Sequence, residues 1–269
     1  MPVKITRYKL EKGLLRKGTK TAPIIVTKDK QRFVFKIFGR GAGFSQIDAK
    51  RLCQQTRDYH KLIQSTGLRL SNILTISPIQ EYVEGRPTGK WILAAKEQII
   101  ENKHDALQVI SSCNERKARD IFRQMVTQLN LVTSYKSAPN KPVQVLIDSV
   151  PKNWVEGKDG KLVCVDFFTP KLVDSKGKLS PFFKSLHTRS RSSLQFRYQN
   201  KGGIYAVLLT YVVAERPSSK KYFEKMLLDF LNKTGETDAA KIVKDTIDKN
   251  YRVNFINPNI SQRIPITEA

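Results

Sequence analysis

The sequence predicts an α+β protein in two parts, a small β-rich part over residues 1–85 and a larger, mainly helical part over residues 86–269. Three observations predict it. Residues 1–38 alternate apolar with polar side chains and are rich in β-branched and aromatic types, the signature of half-buried strands. Between Asp105 and Tyr135, the residues Ile121, Met125, Val126, Leu129 and Val132 recur at threes and fours, as on the buried face of a helix. Glu81-Tyr82-Val83-Glu84-Gly85 and the Pro-Thr-Gly turn after it separate the two patterns and mark the boundary.

With 269 residues, 40% of them hydrophobic, the chain can bury a substantial core and is too apolar to be disordered throughout. Its charge is the unusual feature: 48 Lys+Arg oppose 24 Asp+Glu, a formal net charge of +24. A field of that sign attracts RNA, anionic membrane surfaces or phosphorylated substrates, though basic surface charge also serves solubility. Cys53, Cys113 and Cys164 lie far apart without a CxxC pair, and His60, His104 and His187 make no ligand spacing with them. That pattern argues against structural zinc and for free thiols in a reducing compartment. MPVKITRYKLEKG lacks the apolar core of a secretion signal, and the longest apolar run, Ile204 to Ala214, is too short to span a bilayer. A cytoplasmic protein without a transmembrane segment is the expectation.

Taken in order, KITRYKLEKGLL, APIIVTKD and QRFVFKIF read as three antiparallel strands, with Asp29-Lys30 turning the second into the third. Between the first two, Gly18 sits among Lys17, Thr19 and Lys20, in a loop suited to cover a phosphate with N–H groups or equally to form a basic hairpin tip. In the third strand, Lys36 stands between Phe35 and Ile37, where it needs an anionic partner unless it reaches solvent from an edge strand. GRGAGFS reads as a flexible connection and not as a dinucleotide fingerprint. Ser45 then caps a helix running to Ser65, with Ile47, Leu52, Tyr59, Leu62 and Ile63 on its apolar face.

NILTISPIQEYVEG reads as another strand, whereas WILAAKEQII fits helix or strand. Past the helix that ends near Tyr135, Lys171 to Gly203 is basic and hydroxyl-rich, the least foldable stretch by pattern. Gly203 to Ala214, apolar all round, reads as a buried helix. Ser218 to Lys233 and Thr237 to Asn250 read as two more helices, followed by an irregular tail.

The sharpest functional signal lies in VQVLIDSVPKNWVEGKDGKLVCVDFFTP, residues 143–170. Two apolar runs, VQVLI and KLVCVDFF, flank a turn on Gly157, Lys158, Asp159 and Gly160, which predicts a hairpin. Asp148 and Asp166 end the two runs, and Asn153 stands between them behind Pro151. Two carboxylates and an amide oxygen drawn together by a short hairpin suit a hard divalent cation and a phosphate.

The order of parts resembles the protein-kinase-like fold, and within it the aminoglycoside phosphotransferase and choline kinase branch. The residues that carry the resemblance are Lys36 on the third strand, the connector QEYVEG, then Asp148-Ser-Val-Pro-Lys-Asn153 and Val165-Asp166-Phe167. It implies a bilobal α+β architecture, with a small antiparallel β-rich N-lobe and a larger helical C-lobe. It also implies an ATP- and Mg²⁺-dependent phosphotransferase. In that resemblance Lys36 holds the nucleotide's phosphates under a loop containing Gly18, and Gln80, Glu81, Tyr82 and Val83 line the adenine pocket. Asp148 orients or deprotonates the acceptor hydroxyl, while Asn153 and Asp166 bind Mg²⁺.

Two departures accompany the match. Leu146 and Ile147 stand where the branch has histidine and glycine, and the first helix offers Lys36 only Gln54 or Gln55, with Asp58 one turn on. The acceptor is not specified, although the cationic stretch from Lys171 to Lys201 fits a polyanion better than an aminoglycoside. Two other readings stand beside this one. The first is a kinase-like protein that binds RNA, an anionic surface or a protein partner. The second is a basic nucleic-acid-binding protein whose hairpin acids are ordinary turn residues.

Overall fold

The computed structural model describes residues 9–10, 24–28, 31–38, 44–83, 86–100, 104–138, 141–142, 146–166 and 191–252. They form two compact units of an α+β protein. One is built from the described residues within Met1–Leu62 and Ser71–Ile100, the other from those within Ile63–Leu70, Glu101–Phe168 and Arg189–Ala269. The strands that end at Val83 and begin at Arg86 are one antiparallel pair of the first unit, which runs on to Ile100, whereas Ile63–Leu70 belong to the second.

The first unit is an antiparallel sheet in the order β1 (Lys9–Leu10), β2 (Ile24–Lys28), β3 (Gln31–Phe38), β5 (Arg86–Gln98) and β4 (Ile73–Val83). Because β4 is an edge strand, Pro78 sits in it without breaking a second ladder. WILAAKEQ resolves as strand: Leu93, Ala95 and Glu97 are buried in alternation with the half-buried Ala94 and Lys96. The register sets Lys36 opposite Ala95 and Val34 opposite Glu97. Paired residues point to one side of a sheet. Lys36 and Glu97 therefore share a face.

Helix α1 (Gln46–Ser65) starts at Ser45, whose Oγ accepts from Asp48 N–H at 3.1 Å and donates to the Asp48 carboxylate at 2.7 Å. Its buried side includes Tyr59 and Ile63 of the large-residue face expected, with Leu52 and Leu62 half-buried, and adds small and polar residues to them. Ala49, Cys53, Thr56 and His60 are buried at helical spacing, whereas Ile47 is 63% exposed. The polar members of that side are satisfied locally: Thr56 donates to the Leu52 carbonyl at 2.7 Å, and His60 Nε2 lies 3.2 Å from the Ser71 carbonyl ahead of β4. Burial pushes the Cys53 thiol up to about 11, so it behaves as a small apolar filler.

In the second unit, Asp105 and Gln108 form a reciprocal cap on α2 (Ala106–Ser112), and Asn114 caps α3 (Glu115–Thr133). Two short pairs follow, β6 (Lys136–Ala138) with β7 (Lys141–Pro142) and, beyond a 3₁₀ turn at Pro151–Asn153, β8 (Trp154–Glu156) with β9 (Leu162–Cys164). The chain then forms α4 (Arg191–Tyr198), α5 (Lys201–Glu215), α6 (Lys220–Lys233) and α7 (Thr237–Asp248). As its composition predicts, α5 is enclosed, with every residue from Ile204 to Ala214 buried except Tyr211. Among the described residues, no helix is long and apolar enough to cross a membrane.

Two expectations are corrected here. The functional hairpin is made of Trp154–Glu156 and Leu162–Cys164, with Trp154 opposite Cys164. Residues 143–145 of VQVLI lie outside the described part, and 146–150 carry no strand pairing, because Pro151 starts a helical turn before the first arm can form. The basic stretch before Gly203 also contains α4, which apolar periodicity alone does not reveal. Its inner side is made by Leu194, Tyr198 and a buried arginine, Arg197. Gly18, expected in a phosphate-covering loop, lies outside the described residues.

Gly202 and Gly203 open α5 where two neighbours approach it closely. A Cβ at Gly203 would stand 2.0 Å from the carbonyl oxygen of Phe196, and one at Gly202 would stand 2.6 Å from the side chain of Ile242. Backbone at that distance cannot yield as a side-chain tip can. Gly203→Ala is therefore expected to destabilise by about 3 kcal/mol in chemical denaturation, at the upper end of overpacking costs. Gly89→Ala, which meets nothing within 4 Å but has φ +72, should cost about 1 kcal/mol. Equal losses would contradict the packing account.

His60 supplies a pH test. Burial holds its pKa below the usual 6.5, against the opposing pull of the Ser71 carbonyl and the Glu97 carboxylate. A group depressed on folding contributes stability fully above its unfolded pKa and loses it as pH falls below that value. Stability should thus decline on acidification from pH 7 through the low sixes. His60→Gln, which keeps an N–H for the Ser71 carbonyl, should flatten that decline in melting curves recorded against pH.

Candidate functional site

The loop from Leu146 to Val150 is fully buried yet carries no strand pairing of its own, so its polar groups are met by the helices beside it. Ile147 N–H donates to the Tyr198 carbonyl at 3.1 Å, at the end of α4. Ser149 Oγ donates to the Ile204 carbonyl of α5 at 2.6 Å. Between them the Asp148 carboxylate accepts from Arg197 Nη2 at 3.3 Å, and its same oxygen, Oδ1, accepts from Val150 N–H at 3.4 Å. Both charged side chains are about nine-tenths buried, at 11% exposure for Asp148 and 9% for Arg197. Burial works against the guanidinium's charge, but the Asp148 carboxylate facing it, helped by Tyr198 and Tyr211, holds the Arg197 pKa above its ordinary value.

Pro151 then begins the 3₁₀ turn that delivers Asn153 to the root of the hairpin. The amide Nδ2 of Asn153 lies 3.5 Å from the Asp148 carbonyl. On the opposite arm, Val165 N–H donates to the Asn153 carbonyl at 2.8 Å, so Asp166 follows one residue beyond a direct backbone tie to Asn153. Cys164 Sγ donates to the Asp166 carbonyl at 3.2 Å. Asp148 is buried, while Asn153 and Asp166 are half-buried.

The hairpin that sets this spacing is held by α3. Gln124 Oε1 accepts from Leu162 N–H at 3.1 Å, and Gln128 Nε2 donates to the Leu162 carbonyl at 2.9 Å. Its turn closes through Gly157 N–H to the Lys161 carbonyl at 2.8 Å, with Gly160 at φ +75. Two ties at the hairpin root thus link Asp148 to Asn153 and Asn153 to Val165, the residue before Asp166. Among the described residues, no cluster of three or more His, Cys, Asp or Glu could hold a metal unaided.

In the first unit, Lys36 is 7% exposed and its Nζ lies 3.0 Å from Glu97 Oε2. Its acid therefore comes from β5 and not from α1. Gln54, Gln55 and Asp58 are exposed on α1, where Gln54 Nε2 donates to Asp58 at 2.9 Å. The expected connector is also corrected. Gln80, Glu81, Tyr82 and Val83 belong to β4, with Gln80 opposite Trp91, Tyr82 opposite Pro87 and Val83 opposite Arg86. Residues paired into a hairpin cannot serve as a free linking segment.

Glu97 and Arg197 are the two residues that the sequence reading missed. The first had a signal: if WILAAKEQ is a strand, period two puts Glu97 on the side of Leu93 and Ala95. The second had almost none, since Arg197 is one of many basic residues in its stretch.

Removing one partner of a buried ion pair strands the other charge, at a cost of about 3–5 kcal/mol. Arg197→Met should show a loss of that order in chemical denaturation. Asp148→Asn added to it should restore part of the loss, because no unpaired carboxylate then remains. Strict additivity of the two changes would show that the pair is not coupled. Comparison with protein-family models finds no match to the chain, and comparison with curated proteins finds none either.

Proposed function

We propose that the protein is an ATP- and Mg²⁺-dependent phosphotransferase of the protein-kinase-like type, acting in the cytoplasm on a hydroxyl acceptor. The observation that carries the reading is the pair of ties at one hairpin root that link Asp148 to Asn153 and Asn153 to the residue before Asp166. A buried lysine already paired with a carboxylate supports it from the other unit. Phosphoryl transfer demands alignment and charge neutralisation more than a strong base. These four side chains are of the types that supply both.

The donor set suits Mg²⁺. Asn153 and Asp166 offer hard oxygen ligands, and Mg²⁺ is commonly held by one or two protein groups with phosphates and water completing the shell. In this reading the ion, when bound, neutralises phosphate charge. The resemblance gives Lys36, paired with Glu97 in the first unit, the role of holding the nucleotide's phosphates. Asp148, with one oxygen committed to Arg197 and Val150, orients the acceptor hydroxyl.

That same commitment favours a second reading, in which the fold binds nucleotide or a polyanion such as RNA without turning it over. A carboxylate engaged by a guanidinium has less capacity left for a substrate. The excess of 48 Lys+Arg over 24 Asp+Glu suits such a partner.

Thermal shift with ATP in the presence and absence of Mg²⁺, together with ADP release, separates these outcomes. For the phosphotransferase, Mg²⁺-ATP raises the melting temperature, Asp166→Asn abolishes that shift, and Asp148→Asn keeps it while ADP release falls at least 100-fold, the scale of a catalytic positioning group. A shift without ADP release supports the binding reading. No shift with any nucleotide refutes both nucleotide readings.

A further inference from the structure

We infer that Glu97 is the positioning residue for Lys36, so that the acid directing the lysine's charge comes from β5 and not from α1. The inference rests on the phosphotransferase reading and deepens it. Three observations carry it. First, Lys36 and Glu97 lie on adjacent strands and on one face, and their charged atoms meet at 3.0 Å. Second, Ser71 Oγ donates to the same Glu97 oxygen at 2.9 Å, so the carboxylate is itself held in place. Third, the residues of α1 nearest to the expected pairing position, Gln54, Gln55 and Asp58, face solvent.

The physical consequence concerns rigidity. A lysine whose acid comes from a helix keeps its place only while that helix is docked. A lysine paired across a β-ladder is fixed by backbone hydrogen bonds on both strands, which form with the sheet. The buried pair also explains a costly feature of this face, because Glu97 is 1% exposed and its Oε1 has no hydrogen-bond partner among the described residues. An apolar residue there would bury more comfortably. The carboxylate is accounted for if the lysine needs a fixed direction.

The test measures ATP and adenosine affinity by isothermal titration in Mg²⁺ buffer, with melting temperatures recorded for each variant. Glu97→Gln and Lys36→Met should each weaken ATP about tenfold and leave adenosine unchanged, since only the phosphates meet the lysine. The double variant should be no weaker than Lys36→Met. Asp58→Asn and Gln54→Ala should bind ATP like the wild type.

Equal weakening of ATP and adenosine in Glu97→Gln would reduce its role to structure and overturn the inference. So would wild-type ATP affinity in Glu97→Gln alongside a weak Lys36→Met, with the phosphotransferase reading left standing. Failure of the wild type to bind ATP removes that reading and the inference together. If Glu97→Gln does not fold, Ser71→Ala decides: a severalfold loss for ATP alone supports the inference, and unchanged ATP affinity overturns it.

Discussion

The second unit depends on a helix with no solvent side. Once α5 is enclosed from Ile204 to Ala214, everything touching its first turn must meet it with backbone or with matched polar groups. Two glycines admit the chain of α4 and the side chain of Ile242 at distances no other residue allows. The Ile204 carbonyl takes the Ser149 hydroxyl, and the end of α4 takes Ile147 N–H. The loop bearing Asp148 is thus suspended from α4 and α5 by two neutral hydrogen bonds, each of a kind worth about 1 kcal/mol net but expensive to leave unmade, and by the ion pair to Arg197. The site's geometry is inherited from helix packing and not from strand pairing.

This explains why the hairpin can be so short. Three residues per arm would not hold two acids in register in water. Here the arms serve as a spacer between α3, whose two glutamines grip Leu162, and the turn carrying Asn153. Trp154, fully buried opposite Cys164, anchors the spacer. Val165 returning to the Asn153 carbonyl then sets Asp166 by chain length alone. In the first unit the same economy appears in another form: the ladder between β3 and β5 aligns Lys36 with its carboxylate, and Ser71, ahead of β4, holds that carboxylate.

What the sequence disclosed follows from how local each cause is. The helix over Ile121 to Val132, the all-apolar helix, the Gly157–Gly160 turn and the spacing of Asp148, Asn153 and Asp166 depend on near neighbours and were legible. WILAAKEQ was not, because a short apolar run satisfies helix and strand alike until β3 pairs with it. QEYVEG misled because Gln80 to Val83, polar enough for a linker, pair with β5 instead. Helix α4 stayed hidden because one of its inner residues is an arginine. Its burial becomes sensible only when Asp148, 49 residues earlier, is seen opposite it. Long-range charge pairing leaves no period in a sequence.

The Asp148–Arg197 pair bears on how the site would work. A carboxylate can assist a hydroxyl by taking its proton or by fixing its direction. The first role asks for an accessible, adaptable oxygen; the second asks for a carboxylate that cannot rotate. With Oδ1 engaged by both the guanidinium and Val150 N–H, and with nine-tenths of the side chain buried, rotation about Cβ–Cγ would break two bonds at once. The backbone on either side is equally fixed, through Ile147 and Ser149. Such a group suits a reaction whose barrier lies in alignment, which is where phosphoryl transfer places it. The arginine that occupies half of the carboxylate is, on this argument, what makes the other half a reliable guide.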